Sequence, residues 1–275
     1  MDFDVKNLVI DRCKRLTGFR KDGTIKYSLT QVQDLSLAIT GDQTDAVDNV
    51  GTTIMSFQRA KTATLSGSNA LFDIALLAAQ SGTEVQVATA TKKFLVPFAD
   101  YIDVTTADTA TLTRIPVVMP GDTFAVKVIA KINGDDTIGQ QFTAAAVAAT
   151  GEFSLAGKIA TFEAGEVNVG DKLYALYWYE ADDTANNSAV MVEANAKDWA
   201  LPGQVIGEIV AFDPCDEEQV IGVIVDCPSG RLSVDADLTF GTEMEHPFEI
   251  QLSQKYCDSS KVLFRVYVPE AALIA

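Results

Sequence analysis

The chain has 275 residues, 48% apolar and 21% charged, a globular composition that excludes disorder, collagen and a disulfide scaffold. At this size roughly three quarters of the extended surface can be buried, so no metal or disulfide staple is needed. Acidic side chains number 38 against 21 basic ones, and the net charge of −17 repels phosphate and argues against specific nucleic-acid binding. The longest nearly apolar run, 142–149, is too short for a membrane span. Met1-Asp2-Phe3-Asp4 carries neither the basic nor the apolar region of a signal peptide, so a soluble chain with no membrane partner is expected.

The first 31 residues hold seven basic and four acidic side chains, whereas 180–258 hold seventeen acidic and three basic ones. Little alternation marks 1–26, which therefore reads as a basic arm and a poor candidate for a strand pair. Such an arm can dock on the acidic part of a neighbouring copy, and Arg12, Lys14 and Arg15 are the expected interface residues.

Short β-type runs follow at 35–40, 53–57, 61–65, 84–88, 94–98, 123–132 and 172–179. Later ones lie at 205–212, 220–225, 232–240, 248–252 and 262–268. Leu35-Ser36-Leu37-Ala38-Ile39 and Phe264-Arg265-Val266-Tyr267-Val268 alternate apolar with polar, the pattern of an antiparallel sheet with one wet face. One segment breaks the rhythm. From Ser68 to Gly82, Leu71, Ile74, Ala75 and Ala78 recur at i, i+3, i+4 and i+7, which predicts a helix at about 68–81 with those residues on a sheet.

Composition shifts near 116–121 and 181–187 bracket a small β module with two hairpin-like strand pairs. The expected organisation is a β-sandwich from 1–115 and 182–275 with the basic arm, interrupted by an inserted or appended lobe at 116–181. The fold class is thus mainly β: an antiparallel β-sandwich with one flanking helix and a small β lobe.

No arrangement for chemistry survives inspection. Cys13, Cys215, Cys227 and Cys257 show no CxxC spacing and His246 is the only histidine, which opposes a zinc site. With a turn at 216–218, Cys227 faces the region of Gly207 and is out of register with Cys215, so reduced thiols are expected. His246 lies beside Pro247 among glutamates, without a nucleophile elbow, and reads as structural or surface. Gly134-Asp135-Asp136 reads as a hairpin turn. Asp235 and Asp237 share a face if 232–240 is a strand, and a solvated acidic face is the default. Tyr174, Tyr177, Trp178 and Tyr179 suit sugar or base stacking, but more often such a run is a core strand with alternate rings at its rim. No catalytic residue, cofactor or metal is expected.

Three stretches carry a family resemblance. The first is Leu37-Ala38-Ile39-Thr40-Gly41-Asp42, continued by Val50-Gly51-Thr52-Thr53-Ile54-Met55-Ser56-Phe57 and onward to Asn69. The second is the 151–179 rhythm of Gly, Phe and Gly-Asp leading into an aromatic strand. The third is Asp213-Pro214-Cys215 with Gly222–Gly230. As a whole, the pattern resembles the major tail tube proteins of tailed bacteriophages. The resemblance implies a virion structural protein of the tail, assembled in the host cytoplasm into stacked hexameric rings. Long hairpins would join into a barrel around a channel that DNA passes during ejection, without specific binding. The partners so implied are further copies of the chain and other virion proteins. Alternatives are a capsid decoration or head auxiliary protein, another phage structural protein, or a non-viral β-sandwich binding module.

Overall fold

A computed structural model describes residues 7–214, 216–235, 237–238, 241, 245–254 and 261–269, with backbone alone at 59 and 216–219. The chain is mainly antiparallel β with one helix among the described residues, as the sequence pattern predicts. It divides into two compact units, one formed by Met1–Val85 with Val192–Ala275 and the other by Gln86–Met191. In chain order the first unit supplies β1 (Val9–Phe19), β2 (Ile25–Leu29), β3 (Val32–Val47), β4 (Thr53–Asn69) and α1 (Ile74–Gln80). The second contains β5 (Gln86–Val87), β6 (Phe94–Asp103), β7 (Thr109–Thr111), β8 (Val128–Ile132), β9 (Ile138–Ala144), β10 (Glu152–Ala156), β11 (Ile159–Phe162), β12 (Lys172–Ala181) and β13 (Val190–Met191). The chain then returns to the first unit through β14 (Gly203–Asp213), β15 (Asp216–Leu232), β16 (His246–Leu252) and β17 (Arg265–Tyr267).

In the first unit one sheet runs β2-β1-β14-β15-β16-β4-β3, with β17 also paired to β15. It folds over so that β1 and β3 touch without pairing. Alternation decides which side chains enter: in β16, His246, Phe248, Ile250 and Leu252 are buried while Glu249 and Gln251 face water. Leu16, Leu29, Leu65, Phe248 and Ile250 form the centre of this core, and α1 adds Leu76 and Ala79. Each of the leucine, isoleucine and phenylalanine side chains contributes about 1.5–3 kcal/mol by burial.

Three expectations change here. From residue 9 onward the 1–26 segment is no free arm, because Val9–Phe19 pairs with β14 and with β2; residues 1–6 lie outside the described residues. The helix is shorter than 68–81: Ser68 and Asn69 end β4 opposite Pro247 and His246, and Asp73 caps α1 by accepting the Leu76 N–H at 2.8 Å. That later start turns Leu71 and Ile74 outward, at 59% and 36% exposure, and puts Leu76 and Ala79 inside. In the 232–240 run no described residue past Leu232 is in a strand, so Asp235 and Asp237 share no strand face.

Cys227 is buried and reduced, and burial pushes its thiol up to about 12. It pairs with Val205, two residues from the expected Gly207; Cys215 lies outside the described residues. His246 is wholly buried, as a structural histidine is.

The second unit is larger than the 116–181 lobe. β6, expected in the sandwich, pairs along its whole length with β12, because alternate apolar residues of both strands share one core. The sheet order is β6-β12-β8-β9-β10-β11-β7, and β6 and β7 come together at its ends. Phe142, Phe153, Leu173 and Tyr177 fill the middle. Tyr177 donates to the buried Asp100 carboxylate at 2.7 Å, and Asp100 also accepts the Thr113 N–H and hydroxyl. Charge-assisted bonds of this kind hold an otherwise costly buried carboxylate. Gly134-Asp135-Asp136 is the β8–β9 turn, closed by the Asn133 N–H to the Thr137 carbonyl at 2.9 Å.

Candidate assembly surface

The feature that the core does not explain is the outer part of the β3–β4 hairpin. Among the described residues, β16 pairs with β4 only as far as Ala63, opposite Leu252. Beyond that point residues 39–58 are exposed on both faces, apart from the half-buried turn residue Asp48. Among the described residues the β3 edge has no partner strand.

Local chemistry nevertheless holds the ribbon in register. Asp48 closes the tip by accepting the Val50 and Thr52 N–H groups at 2.9 and 2.8 Å, and these bonds hold its carboxyl below the usual range. Gly51 sits at φ +90, a left-handed conformation that suits glycine. Thr40 and Thr62 share a hydroxyl bond of 2.6 Å. Gln43 donates along β3 to Asp45 and across the strands to Ser56, and the Ser56 hydroxyl with this amide lowers the Asp45 pKa.

A register shift between Gly41 and Gln43 divides the ribbon. Near the base, Ala38 and Thr40 face Thr64 and Thr62, a strip of small and hydroxyl side chains. Toward the tip the same β3 face continues with Thr44 and Ala46, opposite Phe57 and Met55. Gln43 and Asp45, opposite Gln58 and Ser56, make the other face polar. Phe57 and Met55 are 46% and 56% exposed, and Val47, Val50 and Ile54 are exposed around them. A two-stranded ribbon is marginal alone in water, and open edges with apolar side chains invite strand pairing with another chain.

The sequence reading found 35–40, 53–57 and 61–65 as separate strands and missed their continuity. The available signal was the Asp48-Asn49-Val50-Gly51 turn between two runs rich in Thr, Ser, Gln and Asp. Such runs lack the one-sided alternation that marks a half-buried strand.

Arg12, Lys14 and Arg15 all lie exposed on β1. Their setting is less free than a terminal arm: Arg12 ion-pairs with Asp11 at 2.8 Å, and Arg15 stands opposite Glu208 of β14. Lys14 occupies the register shift between Cys13 and Arg15. These residues are brought together along one strand, which pairs with β14 and β2 and not with β3 or β4.

Among the described residues, no helix is long and apolar enough to cross a membrane, and no three His, Cys, Asp or Glu side chains converge as a metal site. No curated protein matches the sequence. A family model does, and it spans both units and the whole ribbon. From residue 16 to residue 261 the chain matches the YomU/Tube protein family, and it belongs to that family of tube-type phage structural proteins.

Proposed function

We propose that the chain is a major tail tube subunit whose copies join through the β3–β4 ribbon into rings that stack around a DNA channel. The carrying observation is a ribbon exposed on both faces, with apolar side chains and open edges. Strand pairing between neighbours would satisfy its edges, and each apolar side chain then buried would contribute about 1.5–3 kcal/mol. The strip of Ala38, Thr40, Thr62 and Thr64 suits a channel wall. Small uncharged side chains fit closely, and the strip itself holds no lysine or arginine to pin a phosphate, with Lys61 beside it as the nearest described cation. In this reading the 86–191 unit forms no part of the wall, and Arg12, Lys14 and Arg15 add attraction between copies.

Negative-stain microscopy and light scattering of the purified chain test the proposal. The parent should form rings or stacked filaments as concentration rises. Phe57→Asp with Met55→Asp, and separately Thr44→Pro on the β3 edge, should abolish them while circular dichroism still reports folded β structure. A parent that stays monomeric or trimeric at high concentration refutes the reading, as does unchanged assembly by both variants.

A further inference from the structure

The second unit carries a cleft to which the β3–β4 ribbon contributes no residue. β12 alternates strictly, so Tyr177 and Tyr179 turn inward while Tyr174 and Trp178 turn outward. Tyr174 pairs with Tyr101 of β6, and their rings lie 5.2 Å apart at 55°. Tyr101 is 72% exposed, so its ring is open to a ligand. The two rings border a cleft of about 650 Å³, whose other sides include Asp103, Lys172, Asp136, Ile132 and Ile138. That size falls within the usual range for small-ligand sites.

The lining is fixed by regular structure. Asp103 and Lys172 are cross-strand partners on β6 and β12. Asp136 sits in the β8–β9 turn at φ +62, with its N–H donated to the Asn133 carbonyl at 3.0 Å. The cleft thus offers aromatic faces and isoleucines beside two carboxylates and one ammonium. Two acids against one base disfavour phosphate and other anions. Exposed Asp and Lys around the rings are also unlike the core of a protein–protein interface, where both are depleted. A neutral ligand with an apolar face and a rim of hydroxyls matches all of these groups at once.

The geometry points to a saccharide-binding site on the second unit, in which Tyr101 and Tyr174 pack against the C–H face of a sugar ring. Asp103 and Asp136 accept from its hydroxyls and Lys172 donates to them. The inference is independent of the tube reading, since every group belongs to the 86–191 unit.

Saturation-transfer NMR on the full chain tests it with maltohexaose, the tetramer of N-acetylglucosamine and a β-galactose tetramer as probes. Transfer to the ring C–H protons of at least one probe is expected. Tyr101→Ala and Tyr174→Ala should each weaken that binding about tenfold, the scale of a lost aromatic contact, while Tyr101→Phe keeps it. Tyr101 is exposed, so circular dichroism of its variants should match the parent. Absence of transfer to all three probes overturns the proposal. So does binding that persists in both alanine variants, or a Tyr101→Ala effect confined to self-association.

Discussion

His246 should make the first unit sensitive to mild acid. Its ring is wholly buried, stacked 5.5 Å from Phe72, with Nε2 and the Gln80 Oε1 2.9 Å apart. Nδ1 accepts the Asp73 N–H at 3.3 Å, so the proton resides on Nε2, which donates to Gln80. Burial lowers its pKa, and the nearby Asp73 carboxylate only partly opposes that shift. The unfolded chain, with histidine near its ordinary value of about 6.5, therefore takes up a proton before the folded chain does. Stability is full above that value and falls as pH drops toward the lowered folded value. The limiting slope is about 1.4 kcal/mol per pH unit, so the loss between pH 7 and pH 5 reaches up to about 2 kcal/mol. Asp45 and Asp48 are also held low, and their contribution is lost only below this window. Urea unfolding at steps from pH 7 to 5 measures the slope. Trp178→Phe leaves Trp199 as the sole tryptophan and so reports on the first unit. His246→Gln in that background should flatten the dependence, whatever its absolute stability. An equal slope in both proteins, or no slope in the parent, would refute the assignment of the proton to His246.

The shortened helix makes a paired prediction: Leu76→Ala should cost about 2–5 kcal/mol in urea unfolding, whereas Ile74→Asp should cost within about 1 kcal/mol because that side chain reaches water. A severe loss from Ile74→Asp would restore the longer helix. Combined Arg12→Glu, Lys14→Glu and Arg15→Glu should make ring stacking fail at lower salt with unfolding unchanged, since exposed pairs are worth about 0–1 kcal/mol each and are screened. Light scattering across a salt series checks this, and identical curves for parent and variant would leave the basic strand without a role between copies.

How legible all this was in the sequence depended on how many neighbours each segment has. β16 and β12 were readable because burial on one face imposes strict alternation on Phe248-Glu249-Ile250-Gln251-Leu252 and on the aromatic strand. The turn at Gly134-Asp135-Asp136 was readable because its bonds are local. Helix phase was not, since Leu71 and Ile74 satisfy the same spacing as a buried face, and only the continuation of β4 through Asn69 excludes them. Nor was the 86–191 boundary, because β6 reads equally well as a strand of either unit until its partner is known. The ribbon was hidden from periodicity, because residues 39–58 are exposed on both faces and no one-sided burial imposes alternation on them. Tyr101 escaped notice because only the pairing of β6 with β12 sets it beside Tyr174.

The short β5 and β13 strands bear on how such a protein can change. Gln86 pairs with Met191 and Val87 with Val190, so the chain leaves the first unit and comes back at one point. Paired antiparallel residues stand about 4.5–5.5 Å apart, and to the first unit all that lies between is a loop with its ends already joined. A closed loop of this kind adds little entropic cost to its host however long it grows. The junction is therefore a socket. Other domains with adjacent termini can be seated there, or a two-residue turn can replace the unit, without redirecting the flanking backbone.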